Sequence, residues 1–173
     1  MTQTGTGSVV WITGRPSAGK STLAQRLHQA LRERGVPCCV LDGDAVRAAL
    51  VPSPGYGSDE RRSFYASLAQ IAALLAKQNL IVLVPATAHS RSYREHARSV
   101  SPRYVEVYVD VSPEDAVERD GKGLYRAARQ GSVRGLPGAD AVYEEPLSPD
   151  VVASGGYDAA AIARVLGLVG SAP

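Results

Sequence analysis

The stretch Gly14-Arg15-Pro16-Ser17-Ala18-Gly19-Lys20-Ser21-Thr22, directly after the apolar run SVVWIT at 8–13, constrains this chain more than any other. Its pattern is G-x4-G-K-[ST]. Glycine is needed twice because the backbone must turn sharply and lie against phosphate oxygens. The loop's N–H groups and the N-terminus of the following helix then point at the anion. Lys20 in this pattern reaches the β- and γ-phosphates, and the Ser21 hydroxyl ligates Mg²⁺. The context supports the motif. A short continuous apolar run, as in a parallel strand buried on both faces, precedes it. Leu23, Leu27, Ala30 and Leu31 follow at helical spacing until Gly35 and Pro37 stop the helix.

The rest of the chain alternates in the same way. Strands are expected at 38–42 (CCVLD), 80–84 (LIVLV), 104–110 (YVEVYVD) and 150–154 (DVVAS). Between them lie expected helices at 45–50, 59–78, 91–99, 124–131 and 158–168, with another opened by Ser112-Pro113-Glu114, a cap followed by an N1 proline. Strand-helix alternation predicts an α/β protein of three layers, with a central parallel five-stranded sheet and the P-loop nucleoside-kinase-like arrangement. Residues 8–173 read as one domain behind a flexible N-terminus at 1–7. The segment 121–149, rich in glycine, proline and charge between ordered parts, reads as a lid.

Composition excludes several classes. At 173 residues the chain holds one sizeable core. With 19 basic and 17 acidic residues, the balance gives no reason to expect a nucleic-acid partner. No apolar run approaches the ~20 residues of a membrane helix. The polar start MTQTGTGS lacks the zones of a signal peptide, so a cytoplasmic location is expected. Cys38 and Cys39 are adjacent and read as strand thiols rather than a disulfide framework.

A GTPase would carry an N-K-x-D guanine reader, which the sequence lacks. The second strand instead ends in LDGDAVR. Asp42 and Asp44 then sit beyond the carboxyl end of a strand next to the phosphate loop. Two carboxylates there can hold a magnesium shell and accept a proton from an attacking hydroxyl. Ser21 and Asp44 are the expected metal ligands, and Asp44 the expected base. Arg47 follows one turn after Asp44 on the same helix face, as either a functional arginine or a solvated partner of a capping Asp44. Asp110, at the end of the fourth strand, reads as structural.

With GRPSAGKST and LDGDAVR together, the chain resembles the adenylyl-sulfate (APS) kinase family, and further motifs extend the resemblance over roughly residues 8–147. GYGSDERR resembles the family's G-F-S-x-x-D-R element, and AHSR at 88–91 stands where S-P-Y-R is expected. The run from YVEVYVD through RDGKGLYRAARQG to GLPGADAVYEEP resembles its strand and lid. The resemblance implies transfer of the γ-phosphate of MgATP to the 3′-hydroxyl of adenosine 5′-phosphosulfate, giving PAPS, by a homodimer. It implies that Gly14, Ser17, Ala18, Gly19, Lys20, Ser21 and Thr22 hold ATP phosphates and magnesium, and that Arg119 lies on the ATP adenine. Asp42 and Asp44 match the family's D-G-D pair. Arg47 and Arg61 match arginines gripping the phosphosulfate side of the acceptor, Tyr56 the aromatic stacking on its adenine, and Lys122 the lid lysine near the transferred phosphate.

The differences fall mostly on the acceptor side. Phe64, Ala66 and Ser67 replace an asparagine and an arginine pair, and Leu136 replaces a second adenine-stacking aromatic. Two other readings stay open at this point. One is a kinase of the same scaffold acting on another nucleoside or metabolite hydroxyl. The other is a nucleotide-binding module without catalysis.

Overall fold

A computed structural model describes residues 7–170; apart from Gly7, the N-terminus expected to be flexible lies outside the described residues. The chain runs β1 (Ser8–Thr13), α1 (Lys20–Glu33), β2 (Cys38–Val40), α2 (Gly43–Ala49), α3 (Ser58–Ala76), β3 (Ile81–Pro85) and α4 (Arg91–Val100). It continues through β4 (Tyr104–Val109), α5 (Pro113–Glu118), α6 (Leu124–Arg129), β5 (Val151–Ala153) and α7 (Ala159–Gly170). The five strands form one parallel sheet in the order β2-β3-β1-β4-β5. The expected α/β architecture is the observed one.

Period-two alternation explains the layers. In β1, Val10 and Ile12 face a cluster with Leu23, Leu27 and Leu31 of α1 and Val165 and Leu166 of α7. Val9 and Trp11 face the other way, onto Phe64, Leu68 and Ala72 of α3 and Ala97 of α4. Because both faces are covered, β1 is buried along its whole length.

Several boundaries shift by one or two residues, and two of these lie beside the site. Helix α2 starts at Gly43, two residues early, because the Asp42 carboxylate caps it by accepting from Asp44 N and Ala45 N. The cap is therefore Asp42, not Asp44. Strand β2 ends at Val40, although Leu41 N still donates to Leu83 O at 2.8 Å.

Parallel strands put their carboxyl ends on one edge of the sheet. The loop 14–19, Asp42, the segment 86–90, Asp110 and the loop 154–158 all leave from that edge. Loops gathered at this edge are where open α/β sheets place their ligands.

Candidate active site

The phosphate loop has the conformation its glycines allow. Gly19 sits at φ +102, and a Cβ there would lie 2.8 Å from Gly156 N, so no side chain fits. Ser17 also takes a left-handed φ of 64. Lys20 curls over the loop, its Nζ donating to Gly14 O at 3.0 Å and Arg15 O at 2.8 Å. Burial pushes its ammonium down to about 8, against the favourable pull of Asp44 and Asp42. A buried lysine whose ammonium rests on loop carbonyls is well placed for a phosphate to occupy its donors.

Ser21 Oγ donates to Asp42 Oδ2 at 2.7 Å, while Asp42 Oδ1 accepts from Asp44 N at 3.0 Å. A hydroxyl beside a carboxylate is the hard oxygen set that Mg²⁺ prefers, so these two residues fit the ion. Asp44, expected with Ser21 as a metal ligand, makes a different contact. Asp44 points across the cleft instead, and its Oδ2 accepts from Lys122 Nζ at 2.7 Å. That hydrogen bond holds the Lys122 ammonium above its ordinary range. The two acids are thereby separated, one beside the phosphate-loop serine and one under the lid lysine.

The acceptor-side residues come together around the start of α3. The Glu60 carboxylate accepts from Gly55 N and Gly57 N at 2.9 and 3.1 Å, shaping the turn that carries exposed Tyr56. Arg47 is not a solvated partner of Asp44. It is 6% exposed, donates to Pro54 O at 3.1 Å and Gly55 O at 2.7 Å, and lies between the rings of Tyr56 (4.5 Å) and Phe64 (3.9 Å). Arg61 donates to Gly135 O of the lid at 2.6 Å, and its guanidinium carbon is 5.6 Å from the Tyr56 ring. Leu136 does not stand open to the cleft as a stacking residue would. It is 7% exposed within the apolar cluster that includes Ala18, Tyr125 and Val133, because Asp140 pins its N–H.

On the opposite side of the phosphate loop lies an open cavity of about 570 Å³. Ser17, Gly19, Thr22 and Arg119 line it together with Gly156 and Tyr157. The first four were expected at a nucleotide; the stretch Ser154-Gly155-Gly156-Tyr157-Asp158 was not. Its signal in the sequence was the glycine pair directly after the last strand. Gly156 packs so tightly on α1 that a Cβ would meet Thr22 Cβ at 2.7 Å and Gly19 O at 2.9 Å. Asp158 holds this loop, accepting from Ser154 N, Ser154 Oγ and Ala161 N.

Phosphate loop, acid pair and basic lid together define a P-loop phosphotransferase. The family described as adenylylsulphate kinase matches residues 6–154, and this chain belongs to that family. A probable adenylyl-sulfate kinase of Pyrococcus abyssi is 41% identical, over 84% of this chain and 83% of its own length. The adenylyl-sulfate kinase of Rippkaea orientalis is 39% identical, over 84% and 80%. The APS kinase CysC of Mycobacterium tuberculosis, solved in complex with AMPPNP and APS, superposes with a TM-score of 0.89 at 34% identity. It covers 95% of this chain and 98% of its own. A gluconokinase of Sinorhizobium meliloti, at 20% identity and a TM-score of 0.55, shares the fold alone.

Proposed function

We propose that this protein transfers the γ-phosphoryl group of MgATP to the 3′-hydroxyl of adenosine 5′-phosphosulfate, giving PAPS and ADP. The observation that carries the reading is the pairing of two acids with two different partners across the phosphate loop, in a chain about 40% identical to adenylyl-sulfate kinases. Gly14–Thr22 cradle the triphosphate, and Arg119 and Tyr157 flank the ATP base. Ser21 and Asp42 would hold the magnesium, which would neutralise phosphate charge.

Asp44 is the proton acceptor. In the structure Lys122 occupies it; a bound triphosphate draws that ammonium toward the γ-phosphoryl oxygens and frees the carboxylate. The acceptor 3′-oxygen then bonds to the γ-phosphorus, the bond from that phosphorus to the bridging oxygen of ADP breaks, and the hydroxyl proton passes to Asp44. Lys20 and Lys122 stabilise the charge spread over the transferring group, the kind of positioning and electrostatic work this reaction needs. Tyr56, Arg47, Arg61 and Leu136 shape the acceptor side. Family resemblance also supports a homodimer, which light scattering tests.

The test is direct. Purified protein with MgATP and APS should form PAPS. Asp44→Asn should lose about 10²–10⁴-fold in kcat while still binding ATP, the usual range for a lost general base. ATP binding without PAPS formation by the wild type sinks the reading. The burial of Arg47 between Tyr56 and Phe64 favours one second reading, a kinase of this scaffold for another hydroxyl. Coupled ADP detection over an acceptor series separates the two, because that reading requires a better acceptor than APS.

A further inference from the structure

Helix α4 carries a buried cation that the chemistry above does not use. Arg94 is 3% exposed and Glu106, on β4, is 7% exposed. Arg94 Nε lies 3.3 Å from Glu106 Oε1, and Arg98 reaches the same carboxylate from outside at 3.7 Å. A buried pair of this kind gains little from charge attraction alone, since desolvation offsets it. What distinguishes Arg94 is the use of its remaining donors. Nη1 donates to Ala88 O and Nη2 to Glu144 O, each at 2.5 Å, and the guanidinium carbon stands 5.7 Å from the Tyr143 ring. Only a planar fork can satisfy three acceptors in this way.

The two carbonyls belong to segments 56 positions apart, and both lead to the cleft. Ala88 is held at φ +39, its N–H donating to Tyr65 Oη at 3.1 Å. Next to it, His89 O accepts from Glu144 N at 2.8 Å. The Glu144 carboxylate accepts from Arg91 N at 2.6 Å and Ser90 Oγ at 3.2 Å, so the lid's tail caps helix α4. Thr13 Oγ1 donates to Thr87 O at 2.7 Å and pairs with Tyr143 Oη at 2.8 Å. The threonine proton is used on the carbonyl, so the tyrosine donates. Thr13 directly precedes the phosphate loop.

We propose that Arg94, held by Glu106, is a positioning residue that fixes the 87–90 loop and the lid tail 143–145 as one unit against Thr13. It thereby sets the acceptor side of the cleft. The ATP side is built by 14–22, Arg119 and 154–158. Arg94 itself touches none of these, and the unit it holds meets the phosphate loop at Arg15, whose Nη2 donates to Glu145 Oε1 at 3.0 Å and whose guanidinium carbon stands 5.4 Å from the Tyr143 ring. The 87–90 loop carries His89, which the charges of Arg61, Glu144 and Arg94 all reach. This inference rests on the function proposed above only for the identity of the acceptor.

Arg94→Lys tests it. Lysine keeps the charge opposite Glu106 but cannot hold two carbonyls and a carboxylate with the same geometry. The expected result is a tenfold or greater rise in KM for APS, with the ATP Kd within twofold of wild type. Amide hydrogen exchange should speed up tenfold or more at 88–91 and 143–145 and stay unchanged at 17–22. Tyr143→Phe, which removes only the bond to Thr13, should show the same split at about threefold and guards against a folding failure of the first variant. Unchanged KM and exchange in a folded Arg94→Lys overturn the proposal. So does a parallel loss of ATP and APS binding, the mark of a merely structural role. Absence of PAPS formation by the wild type would instead count against the acceptor, and the exchange pattern would then decide the proposal alone.

Discussion

At the scale of single residues, Lys20 makes the site's response to pH predictable. Burial lowers its free pKa to about 8, whereas bound phosphates favour its charged form. A group whose pKa rises on binding supports that binding fully below its free pKa and loses the contribution as pH climbs past it. ATP affinity is therefore constant below pH 8 and weakens above, with Kd at pH 9 about tenfold higher than at pH 7. Titration with a fluorescent ATP analogue from pH 7 to 9.5 checks this, and a flat profile would remove Lys20 from the phosphates. The acid pair gives a second contrast. Asp42 sits by Ser21 and Asp44 under Lys122, so their asparagine variants should fail differently. Asp42→Asn keeps the helix cap, since asparagine caps as well as aspartate. It should raise the magnesium concentration for half-maximal rate about tenfold, as loss of one charged ligand implies. Asp44→Asn should leave that concentration within twofold. If both variants shift it equally, the division of labour between the two acids is wrong.

At the scale of elements, the N-terminus of α1 and the loop joining β5 to α7 form one joint, and Gly156 is its tightest point. A methyl group there meets Thr22 Cβ and the backbone oxygen of Gly19 inside contact distance. Gly156→Ala must push the loop off the helix, at about 1–3 kcal/mol of strain. The expected outcome is an ATP Kd raised tenfold or more, read by calorimetry, with KM for APS at saturating ATP little changed. Unaltered ATP binding would show that the cavity beside Gly156 holds no nucleotide. Elements of this kind were largely legible in the sequence. Buried parallel strands read as unbroken apolar runs, and α1 shows its buried Leu23, Leu27 and Leu31 at helical spacing. The joint was not legible, because two glycines after a strand state freedom of the backbone and not what lies against it. Nor was the position of Arg47, which depends on Tyr56 and Phe64 folding over it from another element. Helix α4 is rich in arginine, yet Arg94 is buried; its burial follows from the arrival of Glu106 on β4 and Glu144 from the 121–149 segment. Local pattern carries secondary structure and the phosphate loop, whereas contacts between elements carry the acceptor side.

At the scale of the whole molecule, the segment 121–149, read as a lid, touches the phosphate loop, the acceptor side and Thr13. Tyr125 Oη donates to Pro16 O at 3.0 Å, Arg61 donates to Gly135 O at 2.6 Å, and Tyr143 Oη meets Thr13 Oγ1 at 2.8 Å. The first and last of these bonds are buried, and the Arg61 contact partly so. The Lys122–Asp44 bridge differs, because its side chains are 62% and 71% exposed. An exposed pair contributes about 0.2–1 kcal/mol, so it does not hold the lid closed. Its place suggests exchange, with the lysine leaving the carboxylate for the phosphate when ATP arrives. Stability and catalysis should therefore part company in Lys122→Ala. Tm should move by less than about 4 °C, the scale of 1 kcal/mol in a protein of this size. By contrast kcat should fall about 10²–10³-fold, the loss typical of one donor to a transition-state oxygen. ATP Kd should change little, since the cradle at 14–22 is untouched. Scanning calorimetry beside steady-state kinetics reads both quantities on the same preparation. A variant with full kcat would make the bridge a surface ion pair and leave the lid without its charge.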